Sequence, residues 1–173
     1  MVASIHEAAH AVIARHYRYL LVSIEIGIDG SRLGHTPFDP VLPDGKTEED
    51  TDIRIAMKLY RQNATVCLAG PIAQEMYGGH PAFDGAGSDI LEAGTWAIEF
   101  GQRSPKLEHD NSSVWIHACQ LLQNATMDAI ELLKREDIRT AIETVAGHLR
   151  REGRLSGERA VQIIDSILAR DVA

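Results

Sequence analysis

His6, Glu7 and His10 form the pattern His-Glu-x-x-His close to the start of the chain. Residues four apart on a helix are offset by about 40 degrees, so the two histidines would point the same way. Two imidazoles arranged in this way can hold one zinc ion, and Glu7 beside them can act as general base on a water bound to it. Zinc lowers the pKa of such a water to about 7. The pattern therefore predicts a hydrolytic metal site.

An ordinary amphipathic helix with solvated polar side chains is the plainer interpretation of the same residues. The chain has 8 histidines, and chance alone would produce this pattern in roughly a few per cent of shuffled sequences. The setting favours the metal site, because the apolar neighbours in AAHAV would bury it partly.

A catalytic zinc usually takes three protein ligands, so a third must be found. His16 occupies the position of the last histidine in a metzincin-type motif, but Ile13 stands where that motif has glycine. A β-branched residue keeps the helix going. In a continuous helix His16 would be rotated from His10 by about 240 degrees and displaced by about 9 Å, too far to share a metal. We expect His16 at the surface near the helix end.

Two acidic residues further along the chain are candidates for the third ligand. Glu75 precedes a glycine-rich turn; its plainer interpretation is a solvated carboxylate or one that orients a histidine. Asp89 has glycine and alanine around it, which would let the backbone approach a metal closely. Its plainer interpretation is a helix N-cap paired with Glu92 in a capping box. The residue types alone leave Glu75 and Asp89 nearly even.

The composition is that of a globular chain and excludes several classes of function. The chain has 173 residues and a formal net charge of -8, which disfavours nucleic-acid binding. It has no apolar run long enough to span a membrane and no basic-then-apolar start typical of a signal peptide. Cys67 and Cys119 lie in apolar, helix-like contexts and are expected to be free thiols, which is typical of the reducing cytoplasm.

Hydrophobic periodicity predicts a mainly α fold with a small N-terminal β-sheet or hairpin, in a single domain over residues 1-173. Residues 1-110 would carry the metal site, and residues 111-173 would form a C-terminal helical portion. Tyr19 to Ile28 is predicted as a strand, with RLGHT as its returning partner and a loop from Pro37 to Glu49. The predicted helices cover about 3–17, 49–77 with a kink or restart at Pro71, 89–100, 112–134, 136–152 and 156–170.

Several motifs, in order along the chain, resemble those of the FtsH-type peptidase domain. They are HEAAHAV, LGHTPFDP, VCLAGPIAQEMYGG and GAGSDILEAGTWAIEFG, and the C-terminal LLKREDIRTAIETVAGHLRREGRLSGERAVQII resembles the final helices of that family. The resemblance extends over nearly the whole chain. It is far more specific than His-Glu-x-x-His alone.

The resemblance implies a helical, zincin-like metallopeptidase whose zinc ligands are His6, His10 and Asp89. It implies that Glu7 is the general base, and it leaves Glu75 as a structural carboxylate or one that orients a ligand. The segment Leu33, Gly34, His35 and Thr36 resembles the edge strand beside the active site of the family. An extended polypeptide could add to such an edge through backbone hydrogen bonds, with little sequence selectivity.

The chain departs from the family at three places that remove neither a ligand nor the base. Ala9 replaces a glycine, Pro71 stands where arginine is common, and Gly87-Ser88 differ from the usual residues before the aspartate. The sequence contains neither the ATPase module nor the membrane helices of FtsH proteases, so we expect a stand-alone peptidase, a fragment of a longer protein or a chain served by a separate unfoldase. The only fragment that resembles a P-loop is DGKT, and its first glycine would fall on Pro40, so we expect no ATP binding.

The favoured function is a zinc metalloendopeptidase that cuts unfolded or flexible polypeptides, served by a separate unfoldase or assembled as a homo-oligomer. The alternative is an interaction module that keeps the fold and zinc but does not cut, supported by the missing ATPase and the amphipathic C-terminal helices. Hydrolysis of a small molecule or a specialised peptide is a weaker third hypothesis, because no residue pattern identifies such a pocket.

Overall fold

The computed structural model describes residues 2–27, 34–39, 53–79, 81, 87–103 and 111–169. Within these ranges the chain is mainly helical with small sheet elements, as its periodicity predicts. The helices are α1 (Val2–His16), α2 (Ile53–Gly78), α3 (Gly87–Arg103), α4 (Asn111–Leu133), α5 (Glu136–Glu152) and α6 (Gly157–Leu168). None of these helices is both long and apolar enough to span a bilayer.

The strands are short and lie in two antiparallel pairs. They are β1 (Leu20–Leu21), β2 (Ser23–Glu25), β3 (Phe38–Asp39) and β4 (Arg154–Ser156). β1 pairs with β3, and β2 pairs with β4. An isolated bridge joins Glu25 to His35, so residues 35–39 run back along residues 20–25.

The predicted long strand over Tyr19 to Ile28 is therefore wrong in detail. It is divided at Val22, whose backbone nitrogen donates to Pro37 while its carbonyl accepts from Gly157. The returning segment pairs as expected, but β3 lies inside the stretch predicted as a loop. The predicted turn at Asp29-Gly30 falls outside the described residues.

α1 is the central helix of the fold. Every residue from Ser4 to Ala14 is buried. Its alanines let neighbouring helices approach closely, and one apolar cluster joins α1 to α2, α5, α6 and the strands. A second cluster joins α2, α3 and α4. α2 belongs to both clusters and so connects α1 to α3.

Pro71 does not restart the helix, which was one of the two outcomes predicted there; the other, a kink, stays a prediction. α2 is assigned as one helix from Ile53 to Gly78 with Pro71 inside it. A proline removes one backbone hydrogen bond, which normally bends or breaks a helix. Here Pro71 is buried, and packing of α2 against α1, α3 and α4 offsets that loss.

Candidate metal centre

Three side chains from two distant segments meet at one point. His6 and His10 come from α1, and Asp89 comes from the first turn of α3. Their candidate ligand atoms all lie within 4.8 Å of one another. α2 makes this meeting possible because it packs against both helices.

Asp89 bridges the two imidazoles. Its Oδ2 lies 2.9 Å from His6 Nε2, and its Oδ1 lies 3.7 Å from His10 Nε2. The donors of a tetrahedral zinc site stand about 3.3 Å apart when each bond is about 2.0–2.1 Å long. The two distances lie on either side of that value but reach different oxygens of the carboxylate, so the three side chains lie close enough together to share one metal ion.

The other nitrogen of each ring also faces an oxygen. His10 Nδ1 lies 2.8 Å from the Val66 carbonyl, and His6 Nδ1 lies 3.2 Å from Gln74 Oε1. Gln74 donates through Nε2 to the Pro81 carbonyl at 3.0 Å, which turns its Oε1 towards His6. Both histidines therefore donate through Nδ1 and direct Nε2 towards Asp89.

This arrangement calls for a cation between the rings and the carboxylate. A neutral imidazole carries one N–H, yet both nitrogens of His6 and His10 face oxygens. Either a second proton or a metal ion must lie on the Nε2 side. Hydrogen bonding of Nδ1 to a carbonyl or amide is how ligating histidines are commonly oriented.

The pKa shifts of Asp89 and His10 point in the same direction. For Asp89, burial raises the pKa, but hydrogen bonds from His10 and His6 outweigh it and hold the pKa well below its usual range. For His10, burial lowers the pKa, and the hydrogen bond and charge of Asp89 reverse this and raise it overall. The site thus favours negative charge on Asp89 and positive charge beside it.

Glu7 faces the same cleft but is held by a different segment. Its side chain is buried, and Thr36 Oγ1 donates to its Oε2 at 2.7 Å. Gly34 has φ +133°, a conformation that favours glycine, and an added Cβ there would lie 2.5 Å from Glu7 Cγ. Residues 34–36 therefore fix one carboxylate oxygen of Glu7.

The cleft has a volume of about 290 Å³. It is bounded by α1, by the start of α3 and by residues 34–38. Cys67 also lines it; burial first, then Glu92 and Asp89, raises the pKa of this thiol, so it is a neutral wall of the cleft.

The predicted site residues have different outcomes. The structure brings His6, Glu7, His10 and Asp89 together in the cleft. It places Asp89 inside the first turn of α3, so the N-cap interpretation is wrong. His16 is the last residue of α1 and lies outside the cluster as expected, but it is half-buried, with its ring tilted against that of Tyr17.

Glu75 is exposed on α2, which fits its plainer interpretation as a solvated carboxylate and not a role in orienting a histidine. The side chain that orients His6 is the preceding Gln74. One residue along a helix turns the side chain by about 100 degrees, which separates the two positions. Of the predicted edge segment, Gly34, His35 and Thr36 lie beside the cleft, while Leu33 lies outside the described residues.

Sequence reasoning missed Gln74, the Val66 carbonyl and the hydroxyl of Thr36. A backbone carbonyl leaves no signal in residue types. It also missed the reason for Gly70, where an added Cβ would lie 2.3 Å from His10 Nε2. A glycine inside a helix, where it costs about 1 kcal/mol relative to alanine, is the one signal that indicates a close approach.

Neither a scan against protein-family models nor a search of curated proteins finds a match for this chain.

Proposed function

We propose that this chain is a zinc-dependent endopeptidase of the FtsH type, with His6, His10 and Asp89 as the zinc ligands and Glu7 as the general base. One observation carries the proposal. Two imidazoles, each anchored through Nδ1, direct their Nε2 atoms at a single carboxylate that needs a cation. Two histidines and a carboxylate leave a coordination position open, which is typical of catalytic rather than structural zinc.

Zinc at this position would supply a Lewis acid that polarises the scissile carbonyl and makes water a usable nucleophile at neutral pH. The chain supplies the proton acceptor. Glu7 takes the proton from the attacking water and passes it to the leaving amine. Because Thr36 holds Oε2, we assign the proton transfer to Oε1, on the side of Gly34.

Residues 34–36 also support the choice of a polypeptide as substrate. The backbone N–H and C=O of His35 both bond to Glu25. In an antiparallel ladder the groups of alternate residues point to opposite sides, so those of Gly34 and Thr36 point away from Glu25. An extended polypeptide could add there through its own backbone, which would position its carbonyl and give little sequence selectivity.

The test combines metal analysis with a cleavage assay on an unfolded protein. We expect about one zinc per chain, lost in His6→Ala, His10→Ala and Asp89→Ala. Glu7→Gln should keep the zinc and abolish cleavage, because an amide cannot accept the proton. Glu75→Gln is the matched control, since it makes the same change at an exposed position, and it should keep both properties.

Other outcomes would decide against parts of the proposal. If zinc-loaded wild-type protein binds the unfolded chain and leaves it intact, the chain is an interaction module and not an enzyme. Zinc loss in Glu75→Ala combined with full occupancy in Asp89→Ala would overturn the assignment of the third ligand.

A further inference from the structure

A second pocket, with a volume of about 380 Å³, lies beside the cleft and along α3. It shares Ser88 and Glu92 with the cleft, so the two volumes adjoin. Its described lining residues come from one face of α3 at helical spacing and define the α3 pocket: Ser88, Leu91, Glu92, Thr95, Trp96 and Glu99. A polypeptide held in the cleft would therefore have this pocket within reach of its side chains.

The α3 pocket combines apolar surface with negative charge. Leu91 is 74% exposed and Trp96 is half-buried, so both offer apolar surface to a ligand. Glu92 and Glu99 add two carboxylates, which are separated by about 10 Å along the helix axis. Among the described residues that line the pocket or the cleft there is no lysine or arginine.

The two carboxylates are not neutralised within the described part of the chain, where neither forms an ion pair. Arg103 follows Glu99 by four residues, but its guanidinium carbon lies over the ring of Tyr60, 5.7 Å from the centroid. Glu92 also acts on the cleft: after burial, its charge is the next largest effect that raises the pKa of Cys67. The negative charge of the pocket therefore extends to the wall of the cleft.

We propose that the α3 pocket binds an arginine or lysine side chain of the polypeptide held in the cleft, and that Glu92 determines this preference. This assignment depends on the peptidase function proposed above, because it needs a polypeptide at the metal centre. A long basic side chain suits the pocket, since its methylene groups can lie on Leu91 and Trp96 while its charged end meets a carboxylate. Arginine should be preferred to lysine, because its planar guanidinium can bind a carboxylate through two hydrogen bonds and stack on an indole ring.

Other side chains fit the α3 pocket less well. Aspartate or glutamate would be repelled by Glu92 and Glu99. An apolar side chain could pack on Leu91 and Trp96, but it would remove water from the two carboxylates without offering them a partner, which costs free energy. A cation at the end of an apolar stem satisfies both parts of the pocket.

The geometry limits which substrate residue can use the pocket. Thr95, near the middle of the lining, lies about 9 Å along the helix axis from Asp89. An extended polypeptide advances about 3.3 Å per residue, so about three residues span this distance. We therefore expect the preference within about three residues of the scissile bond, and on one side of it, because α3 leads away from the metal centre in one direction.

Cleavage of paired peptides measures the preference. One peptide of each pair carries a single arginine within three residues of the scissile bond, and the other carries citrulline, which has nearly the same shape and no charge. At one position, wild-type protein should cleave the arginine peptide with a kcat/KM about five- to tenfold above that of the citrulline peptide, and added salt should lower this ratio. Glu92→Gln should reduce the ratio to about twofold or less, and Glu92→Lys should bring it below one, because lysine repels the guanidinium.

Glu75→Gln is the matched control, since it removes one exposed carboxylate from α2, outside the α3 pocket. It should keep the wild-type ratio. Equal cleavage of both members of every pair by wild-type protein would overturn the assignment and leave the peptidase function standing. A ratio that Glu75→Gln lowers as much as Glu92→Gln would also overturn it, because the preference would then follow the overall charge of the chain.

Binding to zinc-loaded Glu7→Gln separates the pocket from the peptidase function. Fluorescence anisotropy of the labelled peptides should give a Kd about fivefold lower for arginine than for citrulline, and adding Glu92→Gln should remove this difference. If wild-type protein cuts none of the peptides, the peptidase function fails and these Kd values decide the assignment. A difference that Glu92→Gln removes then supports the assignment, and equal Kd values overturn it.

Discussion

At the scale of residues, the site depends on which atom of each side chain is already engaged. The spacing of His6 and His10 places two rings on one helix face, and many helices do as much. Val66 and Gln74 add the decisive information because they occupy Nδ1 and leave Nε2 for Asp89. Thr36 does the same for Glu7, where it holds one oxygen of the carboxylate.

Thr36→Val is predicted to lower kcat about tenfold or more with zinc content unchanged. Valine keeps the shape of threonine but removes the hydroxyl that donates to Glu7 Oε2 at 2.7 Å. Positioned proton transfer contributes about 10²–10⁴-fold to rate, so misplacing the base should cost part of this factor. Steady-state kinetics with metal analysis measure both quantities. Thr36→Ser should recover most of kcat; equal kcat in Thr36→Val and wild type would contradict a positioning role.

The His10–Asp89 pair is predicted to make the stability of chelator-treated protein fall as the pH rises above about 6.5. The folded pKa of His10 is raised above 6.5, so its contribution is complete below that pH and is lost as pH rises through the folded value. The pKa of Asp89 is lowered from 3.8, so its contribution is present throughout this range and is lost only in acid.

Urea denaturation with a chelator present, compared with Asp89→Asn, measures this effect. The comparison is needed because burial lowers the pKa of His16, which gives a slope of opposite sign in both proteins. The stability difference between wild type and Asp89→Asn should shrink as pH rises. A difference that stays constant or grows would show that the two side chains are not coupled.

At the scale of elements, hydrophobic periodicity predicted the long, regular helices. The bounds predicted for α1, α4 and α5 lie within about two residues of those observed, because each helix has an apolar face over several turns. β4 was missed: it has three residues, and only its pairing with β2 defines it. That α2 continues through Pro71 without a restart depends on tertiary packing, which the local sequence does not show.

The residues of the candidate site divide in the same way, into those that local spacing predicts and those that depend on tertiary packing. His6, Glu7 and His10 follow from helical spacing, and the choice of Asp89 came from resemblance. Gln74 in place of Glu75 depends on the rotation of α2 about its axis. That rotation is set by contacts on several sides of the helix. The sequence of a single segment therefore does not determine this rotation.

Gly70→Ala tests the close approach of α1 to α2, because two physical effects predict opposite signs. Helix propensity alone would stabilise the protein by about 1 kcal/mol. The new Cβ would lie 2.3 Å from His10 Nε2, so we expect destabilisation by about 1–3 kcal/mol and weaker zinc binding. Gly94→Ala is the control, since an added Cβ at this position in α3 meets nothing within 4 Å. Stabilisation in both variants would contradict the close contact.

At the scale of the whole molecule, the centre joins parts of the chain that are far apart in sequence. One face of α1 carries the histidines, while its other faces pack in the cluster that includes α5 and α6. Arg15 of α1 is paired with Asp165 of α6 at 2.6 Å. Both partners are partly exposed, so apolar packing and not this pair holds the C-terminal helices to α1.

Metal binding and folding should therefore be linked across the molecule. Ile142→Ala in α5 is predicted to lower the free energy of unfolding by about 2–5 kcal/mol, since Ile142 is fully buried in the α1 cluster. Zinc affinity should stay unchanged because Ile142 is not among the residues that line the cleft.

A ligand that binds only the folded state at a hundredfold excess over its Kd adds about 2.7 kcal/mol to the free energy of unfolding. In urea denaturation, zinc should thus raise the free energy of unfolding of Ile142→Ala and of wild type by equal amounts, and should leave that of Asp89→Ala unchanged. An increase in Asp89→Ala as large as in wild type would place the stabilising metal elsewhere.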